Sequence, residues 1–283
     1  MLNKYLLIFS LLLTQFSFAK ERRIVTLNSA ITETVFGLGQ GEFIVATDVT
    51  SISPQAAAAL PRVSQNRSLS AEGIMAFRPS IVLAAEADVS KSVQQQLRQS
   101  GIKLVLLKQE FTAKGAFRFI QAVADAIGES QVGNQVVTRT KLSYDRVMEQ
   151  VRLSQEGKKA AKVLFVYARG AGTMSVAGKG SSLDGMITLA GAKNAIQEFA
   201  DFKPYSTEAM VQSNPDIILM FDFGASSLGG KEAILKLPGV GLTHAGKHKR
   251  ILLMNASLLV NFSTRLPEAI MELNKGINSM MAL

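Results

Sequence analysis

The chain has 283 residues, no Cys, no Trp and a formal net charge of +9. Zero Cys excludes disulfides, thiolate metal sites and cysteine nucleophiles together. The Lys and Arg residues are scattered and form no basic–aromatic module for nucleic acid, so the charge better suits an anionic small ligand.

At the N-terminus, Lys4 precedes an apolar run from Tyr5 to Phe18, and Ser17-Phe18-Ala19 places small residues where a signal peptidase reads. The run is shorter than the roughly 20 residues a membrane span needs. Residues 1–19 are therefore expected to be a signal peptide cleaved near Ala19, leaving a soluble exported protein. No lipid can be attached at that junction without a cysteine.

Short, nearly continuous apolar runs follow, as buried parallel strands require. They are Ile24-Val25-Thr26-Leu27, Ile44-Val45-Ala46, Ile81-Val82-Leu83-Ala84, Leu104-Val105-Leu106-Leu107, Val163-Leu164-Phe165-Val166, Ile217-Ile218-Leu219-Met220 and Ile251-Leu252-Leu253-Met254. Between them lie helix candidates such as Ser90 to Gln99, closed by Gly101, and Thr112 to Ile127, closed by Gly128. Alternation of strand and helix means α/β layers.

The series is interrupted once. From Glu129 to Gln155 no strand candidate occurs, and Val132, Val136, Thr140, Tyr144, Met148 and Val151 mark one face at helical spacing. A helix of this length spans about 38 Å, enough to cross a lobe. The expected division is an N-terminal α/β lobe over 20–128, a connecting helix over 129–156 and a C-terminal α/β lobe over 157–283.

An internal repeat supports two similar lobes. Residues 69–83 align without a gap to residues 205–219, with identical pairs Ser70/Ser206, Glu72/Glu208, Pro79/Pro215, Ile81/Ile217 and Leu83/Leu219. Each copy reads as a Ser cap, a Glu in the first helical turn, a short helix, Pro and a buried strand.

These features resemble the periplasmic binding proteins that serve iron-siderophore, haem and cobalamin importers. The resemblance covers nearly all of the expected mature chain. It is carried by Arg23-Ile-Val-Thr-Leu27, Thr32-Glu-Thr-Val-Phe-Gly-Leu-Gly39, Val45-Ala-Thr-Asp48, Leu60-Pro-Arg-Val63, Leu69-Ser-Ala-Glu-Gly73 and Arg78-Pro79. Residues 167–180, 189–194 and 237–246 bring the chain nearest to haemin-binding proteins within that class. The resemblance implies two Rossmann-like α/β lobes joined by a single long helix, with the ligand in the cleft between them. It also implies a monomeric, non-catalytic carrier that delivers haem as transported ligand to an ABC permease dimer and its ATPase. A siderophore, cobalamin or another tetrapyrrole is the alternative cargo, and a scavenger without a transporter or an enzyme are the rival readings.

Haem binders of the class usually carry Gly-Tyr-x-Arg before the Leu-Ser-Ala-Glu-Gly stretch, the Tyr phenolate ligating ferric iron. Here Ser64-Gln65-Asn66-Arg67 keeps the Arg and replaces the Tyr with Gln65, and Phe223 stands where relatives often have Arg. The expected ligand-binding residues are Gln65, Arg67, Tyr167, Arg169, Met174 and Phe223. The two Arg residues are assigned to carboxylates, and the Tyr and Phe rings to the macrocycle face. Met174, Tyr205 and Tyr167 are the axial candidates, or the iron has no protein ligand. The resemblance assigns Glu72 and Glu208 to transporter docking, one on each lobe.

Other motifs carry less. His244 and His248 are four apart, yet Gly246 and the flanking Lys247, Lys249 and Arg250 argue against a helical metal site. The stretch from Gly172 to Lys179 fails as a phosphate loop because Gly180 follows the Lys where Ser or Thr is needed. No nucleophile–base pair is recognisable.

Overall fold

Two sheets account for the apolar runs in the computed structural model, which describes residues 22–170, 174–204 and 206–282. The expected signal segment over 1–19, together with Gly172 and Tyr205, lies outside the described residues. In chain order the strands are β1 (Ile24–Leu27), β2 (Ile44–Thr47), β3 (Ile81–Ala85), β4 (Lys103–Leu107) and β5 (Lys162–Ala168). Then come β6 (Met174–Ala177), β7 (Lys193–Asn194), β8 (Phe202–Pro204), β9 (Ile217–Phe221) and β10 (Ile251–Met254).

The N-terminal sheet is parallel with order β2-β1-β3-β4. In the C-terminal lobe β7, β5, β9 and β10 pair in the same parallel order. The two lobes thus repeat one wiring. The C-terminal lobe adds an antiparallel extension, β5-β6-β8, formed where β5 runs on past its parallel partners.

Alternation along each strand fills both faces of its sheet. In β5, Val163 and Phe165 enter one core with Ile217 and Leu219, while Leu164 and Val166 enter the opposite core with Ile218 and Met220. Ile24 in β1 packs with Ile31, Phe119 and Ile120, whereas Val25 and Leu27 pack with Ile74 and Leu97. Burial on both faces explains why the strands read as unbroken apolar runs.

The helix Ser130–Gln155 belongs to both cores. Val136 is buried in the N-terminal lobe and Val147 and Val151 in the C-terminal lobe, and Tyr144 meets Phe117 edge-on at 5.7 Å. Near its start, Gly133 lies so close to the helix Ala113–Ala126 that a Cβ there would sit 2.5 Å from the Ala124 Cβ. One rigid rod packed into both lobes restricts hinge motion to small angles.

The repeat is capped as its sequence implies. Ser70 Oγ accepts from the Gly73 N–H at 3.0 Å, and Ser206 Oγ accepts from the Ala209 N–H at 3.1 Å. Ser70→Ala and Ser206→Ala are each expected to cost about 1 kcal/mol. A lowered urea midpoint with an unchanged slope is the measurement that checks it.

Candidate functional site

A cavity of about 840 Å³ opens between the lobes. Its walls come from the loops at the carboxyl ends of β1, β2, β3, β5, β9 and β10, where open α/β sheets place ligands. The two walls differ in chemistry.

The N-terminal wall is polar. Asn28 caps the helix Ser29–Gly37 by accepting from the Ala30 N–H at 2.9 Å, and its amide donates to Asp88 Oδ2 at 2.8 Å. Asp48 turns both carboxylate oxygens inward: Oδ2 accepts from the Thr50 N–H and hydroxyl, Oδ1 from the Ser51 hydroxyl at 2.6 Å. Arg62 braces this loop by donating to the carbonyls of Asp48 and Ser51 at 2.8 and 2.9 Å. In the next loop Asn66 Oδ1 accepts from the Ser68 N–H at 2.7 Å, and Gln65 and Arg67 flank it, both exposed along the cavity.

The C-terminal wall is aromatic. Phe165, fully buried in the core, lies 4.7 Å from the Phe221 ring. Phe221 in turn lies 5.6 Å from Phe223, and Tyr167 meets Phe223 edge-on at 6.0 Å. The series runs outward from the core to Phe223, which is 47% exposed. Gly224 allows the close approach: a Cβ there would stand 3.0 Å from the Ala168 carbonyl. The Gly170 N–H donates to Ser227 Oγ at 2.9 Å, tying the end of β5 beside Arg169 to the helix Asp222–Ser227 that carries Phe223.

Arg67 and Arg169 face this cavity from opposite lobes, and neither makes a hydrogen bond or ion pair among the described residues. Such unpaired guanidiniums, exposed in a cleft, are ready for carboxylates. Of the residues expected from the sequence, the cavity brings together Gln65, Arg67, Tyr167, Arg169 and Phe223. Met174 is not among its lining residues; it packs on the C-terminal core from β6. Glu72 and Glu208 sit exposed in the first turns of the helices Ala71–Met75 and Thr207–Ser213, outside the cavity lining. His244 Nδ1 lies 3.4 Å from Asp216 Oδ1, and no cluster of metal-binding residues occurs among the described residues.

Sequence reasoning missed the polar contact behind the cavity. Ser29 Oγ donates to Asn261 Oδ1 at 2.8 Å, and Asn261 and Ser263 both donate to the buried carboxylate of Glu33, at 3.3 and 2.6 Å. Arg265 stands 3.7 Å from the same carboxylate, and its Nη1 donates to Ser53 at 3.2 Å. The Glu33 pKa is raised, chiefly because burial disfavours the charged form, against the smaller lowering from Ser263, Arg265 and Asn261. Besides the long helix, the two lobes therefore meet at this cluster and at Phe111, whose ring stands edge-on to Phe262 at 5.4 Å.

Residues 24–258 match the family model for periplasmic binding proteins. The chain belongs to the periplasmic binding protein family. The binding protein is similar in structure to a periplasmic heme-binding protein, RhuT, from Roseiflexus sp. RS-1. The TM-score is 0.87 at 32% sequence identity, over 92% of this chain and 99% of that one. Among curated sequences it is 24% identical to an ABC transporter substrate-binding lipoprotein, YvrC, from Bacillus subtilis, over 91% of this chain and 80% of the relative. It is also 23% identical to a vitamin B12-binding protein from Vibrio campbellii, over 86% and 88%.

Proposed function

We propose that this binding protein captures haem in the interlobe cavity and delivers it to an ABC importer. The carrying observation is the cavity itself: an aromatic wall on one lobe and two guanidiniums, one from each lobe, without a partner among the described residues. A flat, apolar ring with two carboxylates at its edge satisfies both. The likeness to a heme-binding protein supports the same cargo. Titrating the mature protein with haemin is expected to give a saturable, stoichiometric shift of the Soret band; a shift proportional to haemin with no saturation would overturn the assignment.

Cobalamin is the second reading, favoured by the likeness to a vitamin B12-binding protein. In that case the cobalamin titration saturates and the haemin titration does not.

In this reading residues 1–19 direct export and are removed near Ala19. The mature protein works in the periplasm as a monomer and catalyses no reaction, with lobes over 20–128 and 157–283 held by the connector at 129–156. Glu72 and Glu208 dock onto the permease dimer that its ATPase drives, since they occupy equivalent exposed positions on the two lobes. The double variant Glu72→Ala/Glu208→Ala is expected to lower haem uptake by about ten-fold while leaving haemin affinity unchanged, because rim charges steer association. Uptake assays beside the spectroscopic titration check it; unchanged uptake removes the docking role.

A further inference from the structure

The lining of the cavity speaks to how a macrocycle is recognised. Soft or strong ligands for iron are scarce along it: among the described residues it contains no His, no Cys and no Met, and one Tyr. That Tyr, Tyr167, is built into the aromatic wall, with its ring edge-on to both Phe221 and Phe223 at 6.3 and 6.0 Å. Two carboxylates also line the cavity. Asp48 is 9% exposed and already accepts three hydrogen bonds inside its own loop. Asp88 accepts from Asn28 at its exposed rim position.

What the cavity does offer is independent of a metal. The Phe165–Phe221–Phe223–Tyr167 series presents a ring face anchored in the core, the geometry on which planar π-systems stack. Arg67 and Arg169 offer bidentate donors from opposite lobes, and Gln65 and Asn66 add neutral amides beside Arg67 on the N-terminal wall.

We infer that the cavity recognises its cargo by ring face and peripheral carboxylates and not through the central metal, so that a metal-free dicarboxylate porphyrin is bound as well as its iron complex. This rests on the haem reading above and deepens it, by extending the substrate class from haem to dianionic porphyrins irrespective of the metal.

Parallel titrations of the mature protein test it, with haemin, metal-free protoporphyrin IX and protoporphyrin IX dimethyl ester as ligands. Haemin is followed by absorption and the free porphyrins by their own fluorescence. The Kd of protoporphyrin IX is expected to fall within about 5-fold of that of haemin, and the dimethyl ester to bind at least about 10-fold more weakly than the diacid. Haemin binding with protoporphyrin IX about 100-fold weaker or undetected would mean that an iron ligand carries the affinity, whichever residue supplies it. That result sinks the inference and leaves the haem reading standing. Failure of haemin itself to bind sinks the haem reading, so the two failures are told apart in one experiment. Tyr167→Phe gives a separate readout: the charge-transfer bands of the ferric complex are expected to be unchanged, and their loss would assign the phenolate as ligand.

Discussion

Truncating the aromatic wall, Tyr167→Ala with Phe223→Ala, is expected to weaken haemin binding by about 100-fold. Each ring contributes through area removed from water and through its stacking geometry, together about 1.5 kcal/mol, or roughly ten-fold in Kd. Phe223 has much to gain, since 47% of it is exposed without ligand, and its neighbours Phe221 and Tyr167 already hold its orientation. The fold is expected to survive, because Phe165 and Phe221 stay buried beneath the substituted positions. Arg67→Ala with Arg169→Ala should cost a similar factor by a different route, at about 1.5 kcal/mol for each charge-assisted contact. Salt separates the two. Raising ionic strength screens exposed charges, so the Kd of the wild-type and wall-truncated proteins should rise with salt while that of the double Arg variant stays nearly flat. Equal salt dependence in all three would show that the guanidiniums do not meet the cargo.

Much of this architecture is legible in the sequence because parallel strands buried on both faces leave uninterrupted apolar runs. Each run from Ile24 to Met254 became a strand of the expected sheets. The stripe from Val132 to Val151 is equally plain, since a helix packed into two cores shows one apolar face throughout. The extension through β6 and β8 is not legible: Phe202-Lys203-Pro204 is short and exposed, and its pairing with Ser175 to Ala177 is fixed by the path of β5. The site was partly readable. Tyr167, Arg169 and Phe223 stand at the ends of β5 and β9, where loops face the cleft, and Arg67 lies in the loop before the helix Ala71–Met75. Met174 looks equally well placed in sequence, yet strand β6 turns it onto the core. Glu33 is harder still. Between Thr32 and Thr34 nothing beside it in the chain marks it as buried, and its partners Asn261 and Ser263 lie more than 200 positions away.

That buried carboxylate carries the second large effect. Glu33→Ala leaves the Ser263 hydroxyl and the Asn261 amide buried without their acceptor, and deprives Arg265 of a charge 3.7 Å away. Stranding buried donors in this way is expected to cost about 2–4 kcal/mol of stability. Glu33→Gln keeps the shape and an accepting oxygen, and so isolates the charge. Because the folded pKa lies above the usual glutamate value of 4.5, the folded protein holds its proton more tightly than the unfolded chain does. The stability tied to that proton is fully present below pH 4.5 and is lost as pH rises through the folded pKa. The wild-type protein should therefore lose ground to Glu33→Gln as pH rises from that value, and urea unfolding of both proteins across the range reads the divergence directly. A constant difference between them would mean that the lobe contact keeps Glu33 ionised at no cost. The consequence reaches the cavity: Asn261 binds Glu33 and Ser29 together, and Ser29 lines the cavity, so loosening this contact loosens part of its N-terminal lining.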